Sequence, residues 1–278
     1  MSGQRVIVTG DGGMLARAFR AVVPDAEFLG IDALDITNAA AVNARLKGAA
    51  TVINCAAYTN VDGAESEEAA AHLVNADGPA NLAAACKAQN ATLLHFSTDY
   101  VFPGNATEPY TPEQAIDPLG AYGRTKAEGE HRIRESGCDY LIVRTSWLYA
   151  PWAKNFVSTM AMLTRDKDAL KVVNDQRGRP TSAEHLAATA WALFMAGERG
   201  THHVTDGGEC TWFDLACAVR DGLGHTCNIT PCTTDEFPRP APRPAYSVLD
   251  LTETERAVGG MPGWRENLAA VLPRLEID

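Results

Sequence analysis

The chain has 278 residues, 46% of them hydrophobic and 21% charged, with a formal net charge of −11. That length allows one large domain or one and a half, of ordinary globular composition. The acidic balance argues against nucleic acid or an anionic membrane as partner, and no apolar run of about 18 residues is present to span a bilayer.

Met1-Ser-Gly-Gln-Arg5 leads straight into an apolar strand, without the stretch of a signal peptide, so a cytoplasmic location is expected. The strand Arg5-Val-Ile-Val-Thr-Gly10 ends at glycine, and Gly10-Asp-Gly-Gly13-Met14-Leu15-Ala16 joins it to a helix. Here Gly10 permits a tight turn, Gly13 lets backbone reach a pyrophosphate, and small Ala16 lets helix and strand approach closely. The helix N-terminus would face the anion. The usual Gly-x-Gly-x-x-Gly spacing is not kept, because Leu15 holds the last position. Ala26-Glu-Phe-Leu-Gly-Ile-Asp32 reads as a second strand whose terminal carboxylate, Asp32, is placed to accept hydrogen bonds from a cofactor ribose.

Asp35-Ile36-Thr-Asn38 predicts a capped helix running through Leu46. Thr51-Val-Ile-Asn54-Cys-Ala56-Ala57 is a third strand followed by Tyr58, and Ser66 to Lys87 reads as one long helix. Thr92 to Ser97 is a fourth strand, running into Thr98 and Asp99; a helix around Tyr122 and the strand Tyr140 to Ser146 continue the alternation. Near-continuous apolar strands separated by helical patterns indicate an α/β fold, a Rossmann-type doubly wound parallel sheet covered on both faces.

The fourth strand and the next helix carry the chemistry. Tyr122 and Lys126 are spaced i, i+4 on one helical face, so the ammonium can approach the phenol. A phenol titrates at roughly 10, and a nearby cation favours phenolate and brings proton transfer into range. Thr98, at the strand end, would aim a hydroxyl at the same substrate oxygen. Asp99 either contacts substrate or caps the following turn. Trp147 either lies against substrate or is ordinary core.

After Trp147 the pattern loosens into a smaller lobe. The predicted division is residues 1–150 and about 170–205 for dinucleotide binding, and about 151–169 and 206–278 for substrate binding. Phe237-Pro-Arg239-Pro-Ala-Pro-Arg243-Pro is either a solvated edge or a grip on a nucleotide diphosphate, with Arg177 or Lys154. Seven cysteines without Cys-x-x-Cys read as buried free thiols, and His202-His203 as strand residues rather than ligands, so no metal site is placed.

Several strings together resemble the extended short-chain dehydrogenase/reductases, and more narrowly the dTDP-4-dehydrorhamnose reductase family. They are Gly-x-x-Gly-x-x-Ala, Leu34-Asp35-Ile-Thr, Ala56-Ala-Tyr-Thr-Asn-Val-Asp62-Gly-Ala-Glu65, Ser97-Thr-Asp-Tyr-Val-Phe-Pro-Gly104 and Tyr122-x-x-x-Lys126. Arg144-Thr-Ser-Trp147-Leu-Tyr149, Asn174-Asp-Gln-Arg-Gly-Arg-Pro-Thr181 and Arg243-Pro-Ala-Tyr-Ser247 extend the likeness over nearly the whole chain. Cys55 stands where alanine is usual, and Ala16 where the fingerprint has its third glycine.

The resemblance implies hydride transfer from NADH or NADPH to the C4 ketone of a dTDP-sugar. It implies Tyr122 as proton donor, Lys126 on the nicotinamide ribose, Thr98 on the C4 oxygen, and Asp99 and Trp147 on the substrate. It implies cofactor contacts at Gly13, Met14, Leu15, Asp32, Asp35, Ile36 and Ala56–Tyr58. Some members of the family use Mg²⁺ at a dimer interface; a homodimer is therefore open, and the ion is not placed on residues of this chain. Two other readings stay open: a 4-reductase or epimerase acting on another nucleotide sugar, and a non-catalytic cofactor-binding subunit like the β subunit of methionine adenosyltransferase.

Overall fold

The structure is a computed structural model that describes residues 4–276. Strands β1 (Arg5–Thr9), β2 (Glu27–Leu29), β3 (Ala49–Asn54), β4 (Thr92–Thr98) and β5 (Asp139–Thr145) join the Gly200–His203 strand in one six-stranded parallel sheet. From one edge the order is Gly200–His203, β5, β4, β3, β1, β2. The chain therefore lays β2 on one side of β1 and β3 on the other, which opens a crevice at the carboxyl ends where ligands bind. The sheet is the parallel one that the alternating apolar runs predict.

The helices are α1 (Met14–Val22), α2 (Ala39–Arg45), α3 (Val61–Ala64), α4 (Glu68–His72), α5 (Gly78–Gln89), α6 (Ala121–Ser136), α7 (Phe156–Asp166), α8 (Ala183–Met195), α9 (Trp212–Gly222), α10 (Thr252–Val258) and α11 (Trp264–Val271). Successive strand residues face opposite layers. Val8, Ile53, Leu94 and Val143 enter a core closed by α1 and α8, whereas Ile7, Val52, Leu93 and Ile142 enter one closed by α2, α5 and α6.

Three elements differ from the sequence expectation. The second strand stops at Leu29, and Asp32 lies in an exposed turn in which Ala33 and Leu34 donate to the Gly30 carbonyl. The long helix expected from Ser66 to Lys87 is interrupted: α4 gives way to a π-helical turn over Leu73–Asp77 before α5 begins. Pro79 has no N–H to donate to the preceding turn, and Gly78 N–H instead reaches back five residues to the Leu73 carbonyl. The strand Ala169–Val173 pairs with Asn228–Cys232 and not with the main sheet. Its Val172 packs with Met160, Leu215, Ile229 and Leu268 in a separate core, so this segment belongs to the lobe.

Asp206 ties lobe to sheet. Its buried carboxylate accepts from Tyr149 Oη, the Ser182 N–H, His185 Nδ1 and Asn267 Nδ2. Among the described residues, no helix is long and apolar enough to cross a membrane.

Candidate active site

A cleft of about 740 Å³ lies over the carboxyl ends of the sheet, between it and the lobe, a size suited to extended small ligands. Its floor is the glycine turn. Gly10 has φ +77°, and a Cβ there would fall 2.5 Å from Ala56 N, so only glycine allows the turn to pass the loop after β3. Gly13 is the N-cap of α1 and supplies no side-chain bond to its first-turn amides, which leaves those donors directed at the cleft. Gly10, Gly13, Met14 and Leu15 line it together with Asp35, Ile36, Ala56, Ala57 and Tyr58.

The loop after β3 is held at two points. Asn54 Oδ1 accepts from Ala56 N at 3.2 Å, and Asn75 grips Tyr58 on both sides, accepting from its N–H at 2.9 Å and donating to its carbonyl at 3.0 Å. Asn75 sits inside the π-helical turn, which is what turns its side chain inward. Asp35 holds its own loop by accepting from the Thr37 N–H and hydroxyl.

Two predicted residues are not brought to the cleft. Asp32 is absent from its lining because β2 ends short of it; Ile31, Asp35 and Asp11 line that end instead. Arg243 is also absent. Its guanidinium is committed to Asp62 at 2.9 Å, which Arg239 also pairs with at 3.1 Å. The lining residues with cationic side chains are Lys126 and Lys154.

The catalytic candidates do meet. Thr98, Asp99, Tyr122, Lys126 and Trp147 all line the cleft. Thr98 Oγ1 donates to Asp99 Oδ1 at 3.0 Å and accepts from Tyr100 N, so the turn is capped by Thr98 and not by Asp99. Burial pushes the Asp99 carboxyl up to about 6, against the lowering effect of the Ser247 and Thr98 hydroxyls. Its second oxygen has no well-formed hydrogen bond.

The expected electrostatic role of Lys126 needs correcting. Tyr122 is raised above its ordinary value, first by desolvation and then by Asp99 and Tyr100, with only the nearby Thr98 hydroxyl pulling the other way. The Lys126 ammonium turns to the sheet instead: Nζ donates to the Phe96 carbonyl at 2.7 Å and lies 3.5 Å from His95 Nε2. Burial brings Lys126 itself down to about 8, with Glu130 opposing.

Trp147 adopts φ +47°, unusual for a bulky residue. Its indole stacks on Trp212 with centroids 3.6 Å apart, and Trp212 Nε1 donates to Gln176. Gly178 lies against the other part of the ring, where a Cβ would come within 2.6 Å. Sequence reasoning missed Asn54, Asn75, His95 and Trp212, which contact the lining residues Ala56, Tyr58, Lys126 and Trp147 from behind the cleft. A histidine within the apolar β4 run was the visible signal; the others depend on tertiary contacts. Among the described residues, no three His, Cys, Asp or Glu side chains converge as a metal site.

A glycine turn at a helix N-terminus, a crevice at a strand-order switch, and threonine, tyrosine and lysine on β4 and α6 define a dinucleotide-binding protein of the extended short-chain dehydrogenase/reductase type. The family described as the RmlD substrate binding domain matches residues 4–277. The chain belongs to this family, that of the dTDP-4-dehydrorhamnose reductases. It is 41% identical to a dTDP-4-dehydrorhamnose reductase of Streptomyces griseus, over 98% of this chain and 94% of that one. It is equally, 41%, identical to a probable dTDP-4,6-dihydroxy-2-methyloxan-3-one 4-ketoreductase of Streptomyces antibioticus, over 97% and 95% of the two chains. The crystal structure of a Bacillus anthracis dTDP-4-dehydrorhamnose reductase in complex with NADP superposes with a TM-score of 0.94 at 36% identity, covering 97% of this chain and 99% of that one.

Proposed function

We infer that this chain is an NAD(P)H-dependent reductase that converts dTDP-4-dehydro-β-L-rhamnose to dTDP-L-rhamnose by reducing the C4 ketone. The observation that carries this is the full-length kinship together with Thr98, Tyr122 and Lys126 lining one cleft.

The residues present fit a nicotinamide dinucleotide. The tight turn that Gly10 allows and the uncapped first turn of α1 suit a pyrophosphate. Asp35 and Ile36 would meet the adenosine end, Ala56–Tyr58 the middle, and Lys126 the nicotinamide ribose. When bound, the cofactor supplies hydride. Thr98, by turning its hydroxyl from Asp99 Oδ1, would position the carbonyl oxygen, and Tyr122 would deliver the proton that it needs as it becomes an alkoxide. Tyr122 holds its proton at neutral pH, as a donor must, while the raise makes it a weaker acid than a free phenol. Asp99 would accept a sugar hydroxyl through its free oxygen, and Trp147 would cover the sugar. Lys154, which lines the cleft, would meet a diphosphate directly; Arg243 would do so only by leaving Asp62.

The test is NAD(P)H oxidation with dTDP-4-dehydrorhamnose generated in situ, with the sugar product identified. Stoichiometric oxidation and dTDP-L-rhamnose are expected. Isomerisation without cofactor consumption would make the chain an epimerase. Faster turnover of the 4-keto sugar named for the Streptomyces antibioticus relative would move the substrate, not the chemistry.

A further inference from the structure

Thr9, Asn54 and His95 lie side by side across three adjacent strands. The register pairs Thr9 with Asn54 and Asn54 with His95. All three are buried, as is Lys126 beyond them. Adjacent strands lie about 4.8 Å apart, so their side chains can bond laterally.

The direction of each bond follows from its neighbours. Asn54 Oδ1 accepts from the Thr9 hydroxyl at 2.6 Å and from the Ala56 N–H at 3.2 Å. That oxygen is thereby settled, and the amide nitrogen is the atom facing His95 Nδ1 at 2.9 Å. An amide nitrogen only donates, so Nδ1 must accept. Burial, and then the Lys126 charge, keep the ring neutral, so its single proton sits on Nε2. That N–H faces Lys126 Nζ at 3.5 Å. A charged ammonium offers no lone pair to it, whereas a neutral amine does.

We propose that His95 is a positioning residue whose Nε2–H, oriented by Asn54 and Thr9, favours the neutral amine of Lys126 and so sets how readily that amine holds its proton. This rests on the reading of Lys126 as part of the catalytic set. The charged group that opposes it is Glu130, one turn along α6. That carboxylate is largely committed to Arg144 at 2.9 and 2.7 Å and to Arg134 at 2.7 Å. Tyr122, on the same helix, and Asp99, just past β4, line the cleft together with Lys126, and the Phe96 carbonyl accepts from Nζ at 2.7 Å.

The test is ¹⁵N NMR of the full chain, free of substrate and cofactor, labelled at histidine and lysine nitrogens. In the wild type His95 Nδ1 should show the shift of an unprotonated nitrogen and Nε2 that of a protonated one. Asn54→Asp offers a carboxylate that accepts from Nδ1–H, which reverses the tautomer and turns a lone pair towards Lys126. The Lys126 titration midpoint should then rise by about one pH unit, and His95→Phe, which deletes the N–H, should raise it in the same direction. A wild-type His95 protonated at Nδ1 would overturn the proposal, even if neither variant folds. So would an unchanged Lys126 midpoint in Asn54→Asp. Because nothing in these readings needs turnover, a failure of the reductase assignment would leave them standing and be told apart.

Discussion

At the scale of single residues, the proposed mechanism gives proton donation to Tyr122 and leaves Lys126 turned to the sheet. Tyr122 is held protonated, and removing its hydroxyl should remove one step without touching the cofactor cradle. Tyr122→Phe is expected to lose about 10² or more in kcat, the usual scale for general acid catalysis; cofactor fluorescence titration should show unchanged binding. Asp99 gives a pH signature of its own. Its folded-state pKa, about 6, lies above its ordinary 3.8, so ionisation disfavours the folded state. Its cost is absent below pH of about 4, grows through the window up to about 6, and is fully present at neutral pH. Asp99→Asn should therefore raise the thermal midpoint at pH 7, with the gain disappearing at pH 4; a gain independent of pH would show that the carboxyl is not buried in its charged form. Asp35 lines the cleft and Asp32 does not. An Asp35→Ala variant should shift kcat/KM towards NADPH more than Asp32→Ala does, measured with both cofactors. The reverse order would return Asp32 to the ribose.

At the scale of elements, the π-helical turn is the least expected feature and the one most closely tied to the site. A continuous helix through Leu73–Asp77 would rotate Asn75 away from Tyr58, whose backbone N–H and carbonyl it satisfies together. Asn75→Ala leaves both groups without that partner and should cost about 2 kcal/mol or more of stability, measured by urea unfolding, and weaken dinucleotide binding. The stacked pair of Trp147 and Trp212 is a second such device. Gly178→Ala would press a methyl to within 2.6 Å of the Trp147 ring, and a displaced covering residue should lower kcat/KM about tenfold or more, with little change in cofactor affinity.

For the whole molecule, α6 is the beam between catalysis and the sheet. It carries Tyr122 and Lys126 at its start and Glu130 further along. Burial pushes Glu130 up, but Arg144, Ser97 and Arg134 outweigh burial and bring its carboxyl below 4.5. A depressed pKa contributes stability above the unfolded value and loses it as pH falls. Glu130→Gln leaves Arg144 buried without its charge partner and should destabilise by about 3 kcal/mol or more at pH 7, with a difference from wild type that narrows in acid.

The division between what was legible and what was not follows from the range of the interactions. Motif spacing along one strand or one helix turn is local, so the glycine turn, the Asn38 cap of α2, the parallel sheet, and the meeting of Thr98 with Tyr122 and Lys126 were readable from residue order. So was the family, whose strings run the length of the chain. What the residues alone left open were partners chosen across the sheet or between lobe and sheet. Asp32 was misplaced because β2 ends at Leu29, where its pairing with β1 stops. Arg243, read as a solvated edge or a grip on an anion, pairs with Asp62. Lys126 was aimed at Tyr122 because i, i+4 spacing puts both on one helical face, yet its Nζ settles where the buried Phe96 carbonyl and His95 await it. Spacing states which groups can meet; only packing decides which of several possible partners each buried donor takes, since a buried donor left without one costs more than the local pattern can supply.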